Sequence, residues 1–203
     1  MGFRLAGFEY PRTGTTGMDP PTPDSTRLSE GGWSLSREEA ETVHEGLGVS
    51  VTAHTAVYED GDLRERIVEA GGEDRVWRFF FASRLDIAPS PGFGMASAAR
   101  PYVVRESKET FVEELRERGF EDVAGGDTET VELGGRRGRM TPHRARLSTA
   151  DRDVEVLGAV VVWHDGDFHV AGGAYPVSGL EPLIDVDGDA YETELLELIR
   201  AVA

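Results

Sequence analysis

The stretch Val154–Tyr175, VEVLGAVVVWHDGDFHVAGGAY, constrains this chain most. Two apolar, β-branched runs flank Asp165-Gly166, and Asp-Gly between such runs is the strongest short-range hairpin signal. With Asp165 and Gly166 as a two-residue loop, His164 is expected opposite Asp167, Trp163 opposite Phe168 and Val162 opposite His169. One face then carries Ala159, Val161, Trp163, Phe168 and Val170. The other carries Val160, Val162, His164, Asp167, His169 and Ala171. Both faces are apolar away from the turn, so both need a cover. The hairpin therefore belongs in the middle of a sheet, with helices on each side. Gly172-Gly173 in its second arm signals a bulge or a close backbone approach.

The remaining segments supply strands and covers. Gly2–Tyr10 reads as a short edge strand and Pro11–Gly32 as a flexible linker, so the organisation is an N-terminal strand and linker over 1–32 and one α+β domain over 33–203. Val43–Tyr58 alternates with period two and reads as one long strand bent at its glycines, although Ser36–Glu39 also fits a helix-starting capping box. Asp62–Ala70 reads as a short helix with Leu63, Ile67 and Ala70 on one side and Gly71-Gly72 as its stop. Arg75–Ile87 reads as a strand that points Trp77, Phe79, Phe81, Leu85 and Ile87 into the core. Ala88–Pro101 reads as a loop. Ser107 is expected to cap a helix running to Arg118, with Phe111, Val112 and Leu115 buried and Gly119 as its end. Strands over Thr128–Leu133 and Met140–Ser148 lead to the hairpin, and Asp189 is expected to cap a final helix. Two long helices thus bracket a run of antiparallel strands.

Charge adds a second constraint. The chain has 38 Asp and Glu against 21 Lys and Arg, a net charge of −17, and Lys108 is its only lysine. Such a surface repels itself in dilute salt, and near 1 M salt the screening length falls to about 3 Å and the repulsion fades. The composition reads as that of a salt-adapted protein, like those of salt-in halophilic archaea, or else as that of an ordinary acidic protein whose GC-rich gene favours Arg. The same charge argues against a nucleic-acid partner. The absence of cysteine excludes disulfides, thiol nucleophiles and thiolate metal ligands. No apolar run approaches the roughly 20 residues of a membrane helix, and the chain reads as cytoplasmic.

The order of elements carries a resemblance. Long strands come first, then a helix ending in ERGFEDV, a meander ending in AGGAYPVSGL and a terminal helix ELLELIRAV. Over Phe111–Phe120, Thr130–Leu147, Val170–Pro176 and Leu195–Val202 this resembles the Mog1/PsbP-like α/β/α sandwich, and the chain also resembles uncharacterised haloarchaeal proteins. The resemblance implies an α+β fold, a largely antiparallel sheet with helices packed on its faces. It implies an accessory or binding role, with no active-site motif carried over.

Candidate sites are few. His164, Asp167 and His169, placed on one face by the expected register, are the residue types of a divalent-metal site with an open position. The plainer reading is a hydrated hairpin end. Asp185, Asp187, Asp189 and Glu192 suggest calcium, but Ala190 stands where an EF-hand loop needs glycine and Leu196 where it needs its bidentate Glu. Arg136, Arg137 and Arg139, with His143, Arg144 and Arg146, form a basic patch suited to an anion, or else to pairing with Asp153 and Glu155 on the next strand. Gly92-Phe93-Gly94 lacks a third glycine, and no nucleophile elbow, HExxH or Walker sequence occurs. No catalytic residue and no cofactor is therefore expected. The leading reading is a binding or accessory protein whose partner is a small ligand or another protein. A metal-dependent enzyme built on His164, Asp167 and His169, and a partner-binding protein using its N-terminal linker, are the alternatives.

Overall fold

The computed structural model of the chain describes residues 19–46, 48–90 and 95–203. The elements are α1 (Ser25–Glu30), β1 (Trp33–Gly46), β2 (Val49–Asp60), α2 (Gly61–Glu69), β3 (Phe79–Ala88) and α3 (Met95–Glu117). They continue through β4 (Glu121–Gly125), β5 (Glu129–Leu133), β6 (Arg136–Ser148), β7 (Asp153–Asp165), β8 (Asp167–Ser178) and α4 (Gly188–Val202). One antiparallel sheet runs β1-β2-β3-β8-β7-β6-β4, and β5 pairs with the other half of the same β6 edge. The fold is α+β, as expected. Gly2–Tyr10, the first part of the expected linker and Gly92-Phe93-Gly94 lie outside the described residues.

The hairpin β7–β8 does occupy the middle of the sheet, between β6 and β3. Its register differs from expectation by one residue. Asp165 pairs with Asp167 around Gly166, whose φ is 77°. Trp163 therefore lies opposite His169 and Phe168 opposite His164. A one-residue slip turns one strand over relative to the other, so Trp163 and Phe168 face opposite layers. A Cβ on Gly173 would overlap the Phe79 carbonyl oxygen of β3 and lie 2.9 Å from Leu195 Cδ1 of α4, and one on Gly172 would overlap the Ala159 carbonyl oxygen of β7 and lie 3.0 Å from Phe81 Cε1 on the other face. Gly173 faces α4 and Gly172 the opposite layer, and the rest of β8 alternates from them. The glycine pair thus serves close approach, and no register break falls at it.

Five other expectations need correction. Val43–Tyr58 is two strands of a hairpin, not one bent strand, because the chain reverses between Gly46 and Val49. Ser36–Glu39 lies within β1 and starts no helix. Within the expected linker, Asp24 accepts from Thr26 N at 2.9 Å and caps α1. The helix expected from Ser107 begins at Met95 and carries Pro101 inside it. Proline removes one amide donor from a helix, which is why Ala88–Pro101 reads as a loop in the sequence. The final helix is capped by Asp187, which accepts from Ala190 N at 3.0 Å, with Asp189 in the first turn. The helix ends at Gly71 and Gly119 fall where the sequence places them.

Each face of the sheet has its own apolar layer. On one side Leu63 and Ile67 of α2 and Phe111 and Leu115 of α3 pack with Phe79, Leu85, Val160, Val162 and Phe168. On the other, Leu195, Leu198 and Ile199 of α4 cover Phe80, Ala82, Val161, Trp163 and Ala171. β3 begins at Phe79 and not at Arg75, so Trp77 reaches the same layer from the segment before the strand, while Phe79, Phe81, Leu85 and Ile87 share its inward face.

Candidate functional site

The α3 backbone packs on β7 and β4, and its side chains reach β3 through Phe111 and β1 through Tyr102 and Glu114, leaving a gap over β1, β2 and β3. The gap is a cleft of about 470 Å³, within the size range of small-molecule sites. Strand alternation makes its floor. Residues of odd number on β2 and β3 point toward α3, so Val51, Ala53, Val57, Phe81, Leu85 and Ile87 line it. Ala99, Tyr102, Val103 and Phe111 of α3 form the opposite wall. The lip is unusually apolar for a surface: Val43, Val49 and Tyr102 are 54%, 38% and 43% exposed.

A few polar groups are placed within this apolar surround. Thr55 and Ser83 are cross-strand partners in the floor, with hydroxyls 2.7 Å apart. Each hydroxyl can donate once, so the pair uses one proton between them and has the other to offer. One end of the cleft is closed by charge. Arg118 donates to Glu114 at 2.8 Å with its guanidinium over the Phe79 ring at 4.3 Å, and Arg37 reaches Glu39 at 3.1 Å and Glu114 at 3.7 Å. At the other end the His44 ring stands edge-on to Tyr102, with centroids 6.2 Å apart. Such a slot can hold an apolar body and fix one polar group at mid-length.

The residues singled out from sequence lie elsewhere. The register separates the expected metal triad. His164 sits on the α3 side, edge-on to Phe168 at 4.9 Å, whereas Asp167 and His169 point to the α4 side. Asp167 accepts two bonds from Arg84, at 2.9 and 2.5 Å. His169 stacks flat on Trp163 at 5.2 Å. Burial, then the Arg84 guanidinium, push the His169 imidazole below its usual pKa. Among the described residues no group of three or more His, Asp or Glu is placed to hold a metal ion. Asp187, of the suspected calcium segment, serves as the α4 cap.

The basic patch is engaged with its neighbours. Arg136 pairs with Asp165 at 2.7 Å and Arg137 with Glu132 at 3.1 Å. Arg139 donates to Thr130 Oγ1 at 2.8 Å and to the Thr128 carbonyl at 3.0 Å. Arg146 reaches Glu121, Asp122 and Asp153, so the expected pairing with Asp153 is present. His143, at the middle of the patch sequence, is buried with its edge to Phe111, and burial lowers its pKa.

Sequence reasoning missed one buried ionic cluster. Arg78, 2% exposed, pairs with Asp60 at 3.1 Å and Glu194 at 2.8 Å, and lies between the rings of Trp33 and Tyr191 at 4.6 and 4.3 Å. Asp60 also accepts from Leu63 N at 2.9 Å, capping α2, and burial raises its carboxyl pKa. The signal was available: an arginine within the apolar run Val76–Phe81 needs a buried partner. The cluster ties β1, β2, α2 and α4 together, with Arg78 and Asp60 buried and Glu194 reaching partly into solvent, so it reads as a staple of the fold.

No helix among the described residues is long and apolar enough to cross a membrane. No curated protein and no solved structure matches the chain. A family model described as a domain of unknown function matches residues 20–203, nearly the whole of the sheet and helices just described, and the chain belongs to that family, DUF6517.

Proposed function

We propose that this protein binds a small, largely apolar molecule in the cleft between α3 and the β1–β3 face, acting as a ligand-binding or accessory protein and not as an enzyme. The carrying observation is the cleft itself: about 470 Å³, an apolar floor and wall, and a hydroxyl pair at mid-floor. Exposed Val43, Val49 and Tyr102 at its lip support the reading, since an occupant would cover them. The floor hydroxyls bond each other instead of a histidine or carboxylate, which leaves them weak nucleophiles. A metal-dependent enzyme and a partner-binding protein working through its N-terminal linker are the alternative readings, the first part of that linker lying outside the described residues.

The test is a titration with the neutral fluorophore N-phenylnaphthylamine. A saturable rise in emission is expected, lost in Ala53→Trp on the floor and in Ser107→Trp on the helix wall. Emission that rises equally in both variants would contradict the reading.

The cellular setting and fold type belong to the same proposal. The net charge of −17 with one lysine supports a salt-adapted cytoplasmic protein. An antiparallel sheet with α3 on one face and α4 on the other supports a sandwich of the Mog1/PsbP type.

A further inference from the structure

The lip of the cleft says what kind of head its occupant carries. β1 and α3 run alongside each other, and two contacts fix their alignment: His44 against Tyr102 at one end and Arg37 against Glu114 at the other. Between these contacts the strand covers about 23 Å at 3.3 Å per residue, and the helix about 18 Å at 1.5 Å per residue. The two lips are therefore matched along the slot. The strand lip carries Glu39 and Glu41, and the helix lip carries Glu106 and Thr110.

The arginines lining the cleft are already engaged. Arg37 holds Glu39 and Glu114, and Arg118 holds Glu114. Glu106 has Arg105 at 2.8 Å, but that arginine is well exposed, and such pairs hold little free energy. Glu41 has no cationic partner among the described residues. A carboxylate head would meet like charge on both lips. An uncharged head would leave the lip carboxylates as they are. An ammonium head would neutralise them, and complementary charge at a lip of this kind selects between ligands more than it adds affinity.

We infer that the occupant is an amphiphile with one apolar chain and a cationic ammonium head, the chain lying on Val51, Phe81 and Leu85 and the head between Glu41 and Glu106. This rests on the cleft being the ligand site.

The experiment compares three decyl probes, decyltrimethylammonium, decanol and decanoate, by titration calorimetry on the full chain. At about 0.1 M KCl the ammonium is expected to bind tightest, ~3- to 10-fold better than decanol, with decanoate weakest. The whole protein attracts cations, so the lip must be tested separately. Removing two charges in Glu41→Gln/Glu106→Gln barely alters that general attraction, yet it is expected to erase most of the advantage over decanol. At molar KCl the three affinities should converge. Decanoate binding as tightly as the ammonium, or an ammonium advantage unchanged in the double variant, would overturn the inference while leaving the cleft as the site. Failure of all three probes would remove both. A protein that sediments as a dimer, and that Ser107→Trp converts to a monomer, would assign the cleft to a second copy and also overturn it.

Discussion

Arg78 shows how much of this fold a single side chain holds. Its guanidinium lies in the interior between two aromatic rings and two carboxylates. Arg78→Met is expected to leave Asp60 and Glu194 without their cation and to cost about 3–5 kcal/mol in a denaturant titration, the range for breaking a buried pair from one side. The buried histidines fix a pH dependence. His143 and His169 are both pushed down by burial, so the unfolded chain takes up their protons first. Stability is then complete above about 6.5 and is lost as pH falls from that value through the lower folded pKa values. Asp60, raised by burial, acts with the opposite sign in the acid range. Unfolding midpoints measured from neutral to mildly acid pH should fall, and His143→Gln/His169→Gln should flatten that fall. The two histidines were visible in the sequence. Their burial was not, because it depends on which face each strand turns inward. His164 and His169 show this directly: one residue of slip put them in different layers.

Element by element, several features that depend on one segment alone were legible in the sequence, although the α4 cap falls at Asp187 and not at Asp189. The apolar face of β3, the stops of α2 and α3 at glycine, and the apolar face of α4 each depend on period and cap chemistry within one segment. The errors arose where a distant contact decides. Pro101 reads as a helix breaker, yet Ala96, Ala99 and Val103 pack on the core and carry α3 through it. The Gly46–Val49 reversal reads as a bend until β2 finds both β1 and β3 as neighbours. In the central hairpin, Gly173 sits against the Phe79 carbonyl oxygen of β3 and Leu195 of α4, which leave no room for a Cβ, and both neighbours are distant in sequence. Gly173→Ala should therefore destabilise by about 1–3 kcal/mol, as overpacking does, whereas Gly166→Ala at the turn meets no neighbouring atom and pays only for its positive φ. A denaturation series on the two variants checks the order.

For the molecule as a whole, charge and shape set the expectations. With a net charge of −17, the melting temperature should rise from about 0.1 M to about 2 M KCl as self-repulsion is screened, and a flat response would remove the salt-adapted reading. The acidity could be read from composition alone. The cleft could not, because it exists only where α3, fixed by Phe111 and Leu115 on the sheet centre, leaves β1–β3 uncovered. That uncovered face is the centre of the account. Methyl-labelled NMR during titration with decanol addresses it most directly. The expected result is shifts confined to Val51, Val57, Leu85 and Ile87 on the cleft floor, with Val161 and Leu198 on the α4 side unmoved. Shifts centred on the α4 layer, or none at the floor, would contradict it.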